Sequence, residues 1–107
     1  MSDFRSESDL LDEMRGGQCR ERVAVAQRLL AAGRLCQRRL SEAGDERTQW
    51  CIDNWDALAA EVGAELGISR GRASSQMHHG VDLVEHYPAL TEAFLSGAVD
   101  YRVISMI

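Results

Sequence analysis

The side chains best equipped for chemistry cluster in one stretch, Ser69-Arg70-Gly71-Arg72-Ala73-Ser74-Ser75-Gln76-Met77-His78-His79-Gly80-Val81-Asp82. On a helix anchored inward by Ala73, Met77 and Val84, the outward face carries Arg72, Ser75, His79, Asp82 and His86. Arg70, Gln76 and His78 fall at its margins. That set suits DNA: arginine contacts guanine or phosphate, glutamine reads adenine, and serine binds phosphate. It also describes an ordinary solvated helix face. Asp82 and Glu85 offset Arg70 and Arg72, so the helix as a whole, over 69–86, sums to no net positive field. The candidate DNA-contacting residues are Ser69, Arg70, Arg72, Ser75, Gln76 and His79. Arg34 and Arg38 join them from a second, more basic helix that could track phosphates.

Other chemistries find less support. Neighbouring histidines point about 100° apart on a helix, so His78 and His79 cannot chelate one metal together. His79 and Asp82 could share an ion at i and i+3, but no third ligand is indicated. Cys19, Cys36 and Cys51 form no CxxC pair and read as reduced, mostly buried thiols. There is no GxSxG, no paired-carboxylate arrangement, no Cys-His signal and no phosphate-cradling glycine loop. The sequence thus indicates no catalytic residue, metal, cofactor or small-molecule substrate, and the chain reads as a non-enzyme.

The elements that must position these residues are helical. Hydrophobic residues make up 45% and charged residues 27%, and Pro88 is the single proline, so strong helix formers dominate. This predicts an all-α fold, a single domain over residues 1–107 built as a small bundle of four to five helices. Residues 1–16 form an acidic, partly flexible N-terminus, with Ser8 or Asp9 capping a short helix through Met14 that Gly16-Gly17 interrupts. Residues 18–43 form a long arginine-rich helix whose inward stripe is Cys19, Val23, Ala26, Leu30, Gly33, Cys36 and Leu40.

Residues 45–86 form a helix-turn-helix-like unit, most clearly over 54–86. Its first helix starts at Asp45 or Thr48 and carries the stripe Cys51, Trp55, Leu58, Val62 and Leu66. Trp50 and Trp55 read as core or core-edge aromatics. Gly63 is small where helices approach, Gly67 supplies the turn between Leu66 and Ile68, and Ser69 caps the second helix. Residues 87–107 form short C-terminal helices. Pro88 opens one, Gly97 closes it, and Asp100 caps Tyr101–Ile107. The apolar Met106-Ile107 end reads as cut.

The formal charge of −5 argues against a strongly basic, non-specific nucleic-acid binder. Positive charge is concentrated in 18–43, where six arginines face Glu21 and Glu42. No stretch reaches the ~20 apolar residues of a membrane span, and the acidic N-terminus is unlike a secretory signal. The expectation is a cytoplasmic protein with no membrane partner. Double-stranded DNA is one expected partner. The alternative is a helical assembly module that forms a homo-oligomer through the long amphipathic helix or the C-terminal segment.

Three segments carry a family resemblance. They are Trp55-Asp-Ala-Leu-Ala-Ala-Glu-Val-Gly-Ala-Glu-Leu-Gly-Ile-Ser-Arg-Gly-Arg-Ala73, Leu83-Val-Glu-His-Tyr-Pro-Ala-Leu-Thr-Glu-Ala-Phe-Leu-Ser-Gly97 and Tyr101-Arg-Val-Ile-Ser105. Together they resemble the actinobacterial 13E12 repeat family, whose shared region is the domain of unknown function 222. The resemblance extends over about residues 18–107. It implies a mobile-element or nuclease-associated protein, because longer members often end in an HNH nuclease domain. No such motif stands in these 107 residues, so the resemblance carries no nuclease chemistry onto them.

Overall fold

The computed structural model describes residues 4–106, apart from the side chains of Arg47, Ile52 and Asp53. Five α-helices follow one another: α1 (Glu7–Ala43), α2 (Arg47–Leu66), α3 (Arg70–His86), α4 (Pro88–Leu95) and α5 (Tyr101–Ile104). A single 3-10 turn, Gly44–Glu46, joins the first two. There is no strand among the described residues.

Helix α1 begins earlier than expected. Ser6 is its N-cap, with the Ser6 hydroxyl accepting from the Asp9 amide and the Asp9 carboxylate accepting from the Ser6 amide. This reciprocal pair satisfies two otherwise orphaned donors. Ser8 and Asp9 lie inside the helix. The expected interruption at Gly16-Gly17 is also absent, since α1 runs through both. A helical glycine costs about 1 kcal/mol relative to alanine, which weakens a helix but does not forbid its dihedrals. Among the described residues only Gly44, Gly67 and Gly97 adopt positive φ.

At about 1.5 Å per residue, the 37 residues of α1 span roughly 55 Å, which accounts for the 61 Å long axis. The N-terminal turns project as an arm, with Leu11 and Met14 exposed.

Two apolar clusters hold the rest together. One joins Ala32 and Cys36 of α1 to Leu58, Ala59 and Val62 of α2 and Ala73 and Met77 of α3, flanked by Trp50, Trp55 and Ile68. The other joins Ala26, Leu29 and Leu30 to Leu83, Phe94 and Ile104. Between them α1 and α3 cross at two glycines. A Cβ on Gly80 would lie 2.2 Å from the Leu29 carbonyl oxygen, and one on Gly33 would lie 2.4 Å from the Gly80 carbonyl carbon. The two backbones therefore touch, and α3 is seated on α1 without intervening side chains.

The expected stripes are partly revised. In α1 the buried set adds Leu29 and Ala32, while Cys19 is exposed. Cys51 is exposed as well, so only Cys36 matches the buried-thiol expectation. In α2 the stripe centres on Leu58, Ala59 and Val62, with Leu66 at the surface. Helix α2 starts at Arg47 with no side-chain cap, so neither Asp45 nor Thr48 is its N-cap.

Candidate nucleic-acid interface

The turn between α2 and α3 forms as its residues dictate. Gly67 ends α2 with φ 67° and ψ 34°, the left-handed conformation that favours glycine. The Ile68 amide donates to the Gly63 carbonyl at 2.9 Å, and a Cβ at Gly63 would meet the Ile68 carbonyl oxygen at 2.8 Å. Ser69 then caps α3 by accepting from the Arg72 amide at 3.1 Å. Across the turn, Trp55 Nε1 donates to Ser74 Oγ at 2.9 Å, and its ring stacks on His78 with centroids 4.3 Å apart. These contacts fix α3 against α2.

The predicted residues separate into three groups. Ser69, Arg70, Arg72 and Ser75 are exposed at the start of α3 and share one end of it. Gln76 and His79 turn inward instead. Gln76 is only 6% exposed, and its Oε1 accepts no hydrogen bond among the described residues. His79 is half-buried, and its Nδ1 shares a 2.9 Å hydrogen bond with the Tyr101 hydroxyl. The wheel anchored on Ala73, Met77 and Val84 placed His79 on the outward face and Gln76 at its margin. Packing of α5 onto α3 and the burial of Leu83 rotate the inner face towards them.

Arg34 and Arg38 form the third group. Both are exposed on α1. Arg38 stands two residues from each of the buried Cys36 and Leu40, about 200° round the helix, so it points away from α3.

Two residues that the sequence reading passed over stand beside the α3 end. Tyr101, at the start of α5, closes a cleft of about 260 Å³ whose other walls are Gly71, Arg72, Ser75 and Gln76. Burial raises the Tyr101 phenol above its usual pKa, and the guanidinium groups of Arg28 and Arg72 pull in the opposite direction. Arg28 of α1 therefore acts on the same spot as Arg72 of α3. The Asp100 cap, which accepts from the Arg102 amide at 3.2 Å, could have pointed to Tyr101 as a fixed position. No periodicity could have paired it with Arg28.

No group of three His, Cys, Asp or Glu side chains converges among the described residues. His86 sits at the end of α3, 3.7 Å from Glu85 and edge-on to Tyr87. No helix among the described residues is long and apolar enough to cross a membrane.

This is a small all-helical unit organised about a helix-turn-helix-like pair. It belongs to the family of the domain of unknown function 222, which matches residues 17–107 and is the shared region of the 13E12 repeat proteins. The chain is 42% identical over 87 residues to the uncharacterized protein Rv2100 of Mycobacterium tuberculosis, covering 81% of this chain and 15% of that one. It is 40% identical over 87 residues to the uncharacterized protein Rv3776 of the same organism, covering 81% of this chain and 16% of that one. A further uncharacterized M. tuberculosis protein, described as lying in the est 3' region, is 40% identical and is covered over 24% of its length. The chain thus spans less than a quarter of the length of these relatives. No solved structure matches it.

Proposed function

We propose that this unit is a non-catalytic module that contacts double-stranded DNA through the first two turns of α3, within proteins of the nuclease-associated 13E12 type. One observation carries the reading. The Gly67 turn and the Ser69 cap present Arg70, Arg72 and Ser75 together at an exposed helix start, while the opposite face of α3 is locked onto α1 and α2. A helix held this way can offer its N-terminal residues to a major groove. The test is a duplex titration followed by fluorescence anisotropy at several salt concentrations. With two to three phosphates neutralised, log K should fall with log salt at a slope of about −2 to −3. Arg70→Ala should weaken binding and flatten that slope. Absence of any duplex binding at low salt ends the proposal.

A second reading, assembly through α1, is favoured by the arm. There the inward stripe of α1 continues as Leu11 and Met14, which are 57% and 68% exposed. Sedimentation at a range of concentrations tests it, and a concentration-independent monomer rejects it.

A further inference from the structure

The cleft closed by Tyr101 has features that duplex contact at the helix surface does not use. Its floor is Gln76, nine-tenths buried, with a carbonyl oxygen that accepts nothing among the described residues. A buried acceptor without a donor costs about 1–3 kcal/mol, so the arrangement is unfavourable unless something enters to satisfy it. The rim carries the Arg72 guanidinium and the Ser75 hydroxyl, both exposed. Gly71 opens one side, since a Cβ there would meet nothing within 4 Å. The wall is the Tyr101 ring, held edge-on by His79, with ring centroids 5.6 Å apart. On the far side of Tyr101 a second small cleft is lined by Arg22, whose Nε is likewise without a partner.

We infer that this cleft takes a single unpaired nucleotide, its phosphate held by Arg72 and Ser75, its base against Tyr101 and the base edge on the Gln76 amide. The volume, about 260 Å³, admits one nucleotide but not a base pair within a duplex. The Gln76 amide, an acceptor beside a donor, pairs with any base edge that sets a donor beside an acceptor: the amino group and ring nitrogen of adenine or cytosine, or the N3–H and a carbonyl of thymine. Stacking on an aromatic wall adds affinity for any base. The inference rests on the reading of α3 as the helix that meets nucleic acid. It differs in what is bound: a flipped or single-stranded nucleotide rather than an intact groove.

The nucleotide could come from a DNA strand or be free, and the experiment separates the two. Oligo-dA, oligo-dT, an abasic oligonucleotide, dAMP and an intact duplex are titrated against the whole chain and its variants. Oligo-dA and oligo-dT are each expected to bind, and an abasic oligonucleotide about tenfold more weakly. Gln76→Leu should weaken both oligonucleotides severalfold while leaving thermal stability equal or higher, because it removes an orphaned polar atom. Gly71→Leu, which fills the cleft from an unobstructed helical position, should abolish oligonucleotide binding. If only dAMP binds, with the same loss in Gln76→Leu, the nucleotide is a free one.

Oligonucleotide binding that neither Gln76→Leu nor loss of the base weakens overturns the inference, and so does absence of both oligonucleotide and dAMP binding. Duplex binding that persists under either outcome leaves the DNA-module reading standing. Oligo-dA binding without duplex binding rejects that reading and retains the cleft.

Discussion

Replacing Gly80 by alanine tests whether α3 is held by direct backbone contact with α1. The new Cβ would stand 2.2 Å from the Leu29 carbonyl oxygen, 2.8 Å from the Gly33 nitrogen and 3.0 Å from the Gly33 Cα. All three are backbone atoms, so no rotamer change relieves the clash and the helices must part by about 1 Å. A gap of that size forfeits roughly a quarter to a half of each dispersion contact across the crossing. Overpacking of this kind costs typically about 1–3 kcal/mol, and rigid backbone on every side places this case at the upper end. Against it stands a gain of about 1 kcal/mol from replacing a helical glycine by alanine. The net expectation is a loss of about 2 kcal/mol, or a Tm lower by about 10 °C. Gly71→Ala supplies the control within the same helix, because its Cβ meets nothing within 4 Å. It should raise stability by about 1 kcal/mol. Thermal and urea unfolding followed by circular dichroism measure both variants. A Gly80→Ala protein that unfolds at or above the wild-type temperature refutes the contact argument.

The other predictions concern the turn, the thiols and alkaline pH. Ser69→Ala removes the acceptor for the Arg72 amide and should cost about 1 kcal/mol in urea unfolding. Trp55→Phe loses the donor to Ser74 and should cost about 1 kcal/mol, with faster amide exchange in the first turns of α3. Iodoacetamide applied to the native protein at pH 8 should add two labels by mass spectrometry, on Cys19 and Cys51, and a third on Cys36 only after unfolding. Burial raises the Cys36 thiol from 9.0 to about 11. The native state therefore keeps a proton that the unfolded chain releases above pH 9, and stability should fall between pH 9 and 11 by about 2 kcal/mol. Cys36→Ala should lose most of that alkaline slope, and a variant with the wild-type slope counts against it.

Much of this fold was legible because its signals are local. The Gly67 turn, the Ser69 cap, Pro88 at the start of α4 and the Asp100 cap each depend on a few consecutive residues, and each forms as expected. Gly16-Gly17 misled because glycine lowers helix propensity without forcing a break, and a cap further upstream at Ser6 extends the helix through it. Gln76 and His79 misled for a different reason. A wheel built from three anchors fixes one face, whereas α3 is covered from two sides, by α1 with α2 and by α5. The convergence of Arg28, Arg72 and Tyr101 depends on the angle at which α3 crosses α1. Gly33 stood in the expected stripe of α1, but its contact with Gly80 is a fact of three dimensions.

The same geometry alters what the charge of α3 means. Summed along the sequence, Asp82 and Glu85 cancel Arg70 and Arg72. Along the helix, however, Arg72 and Asp82 are ten residues apart, about 15 Å at 1.5 Å per residue. Screening at physiological salt acts over about 8 Å, so the two ends of α3 are electrically separate there. The N-terminal end is positive by itself, with Arg70 and Arg72 reinforced by the positive pole of the helix dipole. This yields a prediction with opposite outcomes at two ionic strengths. At about 0.15 M salt, Asp82→Asn should change DNA affinity by less than about twofold. At about 0.01 M, where screening extends to about 30 Å, removing the same carboxylate should tighten binding severalfold. Anisotropy titrations of both proteins at both salt concentrations decide it. A large effect of Asp82→Asn at the higher salt would mean that the carboxylate lies within the contact itself, and that the DNA runs along the whole of α3 instead of meeting only its first two turns.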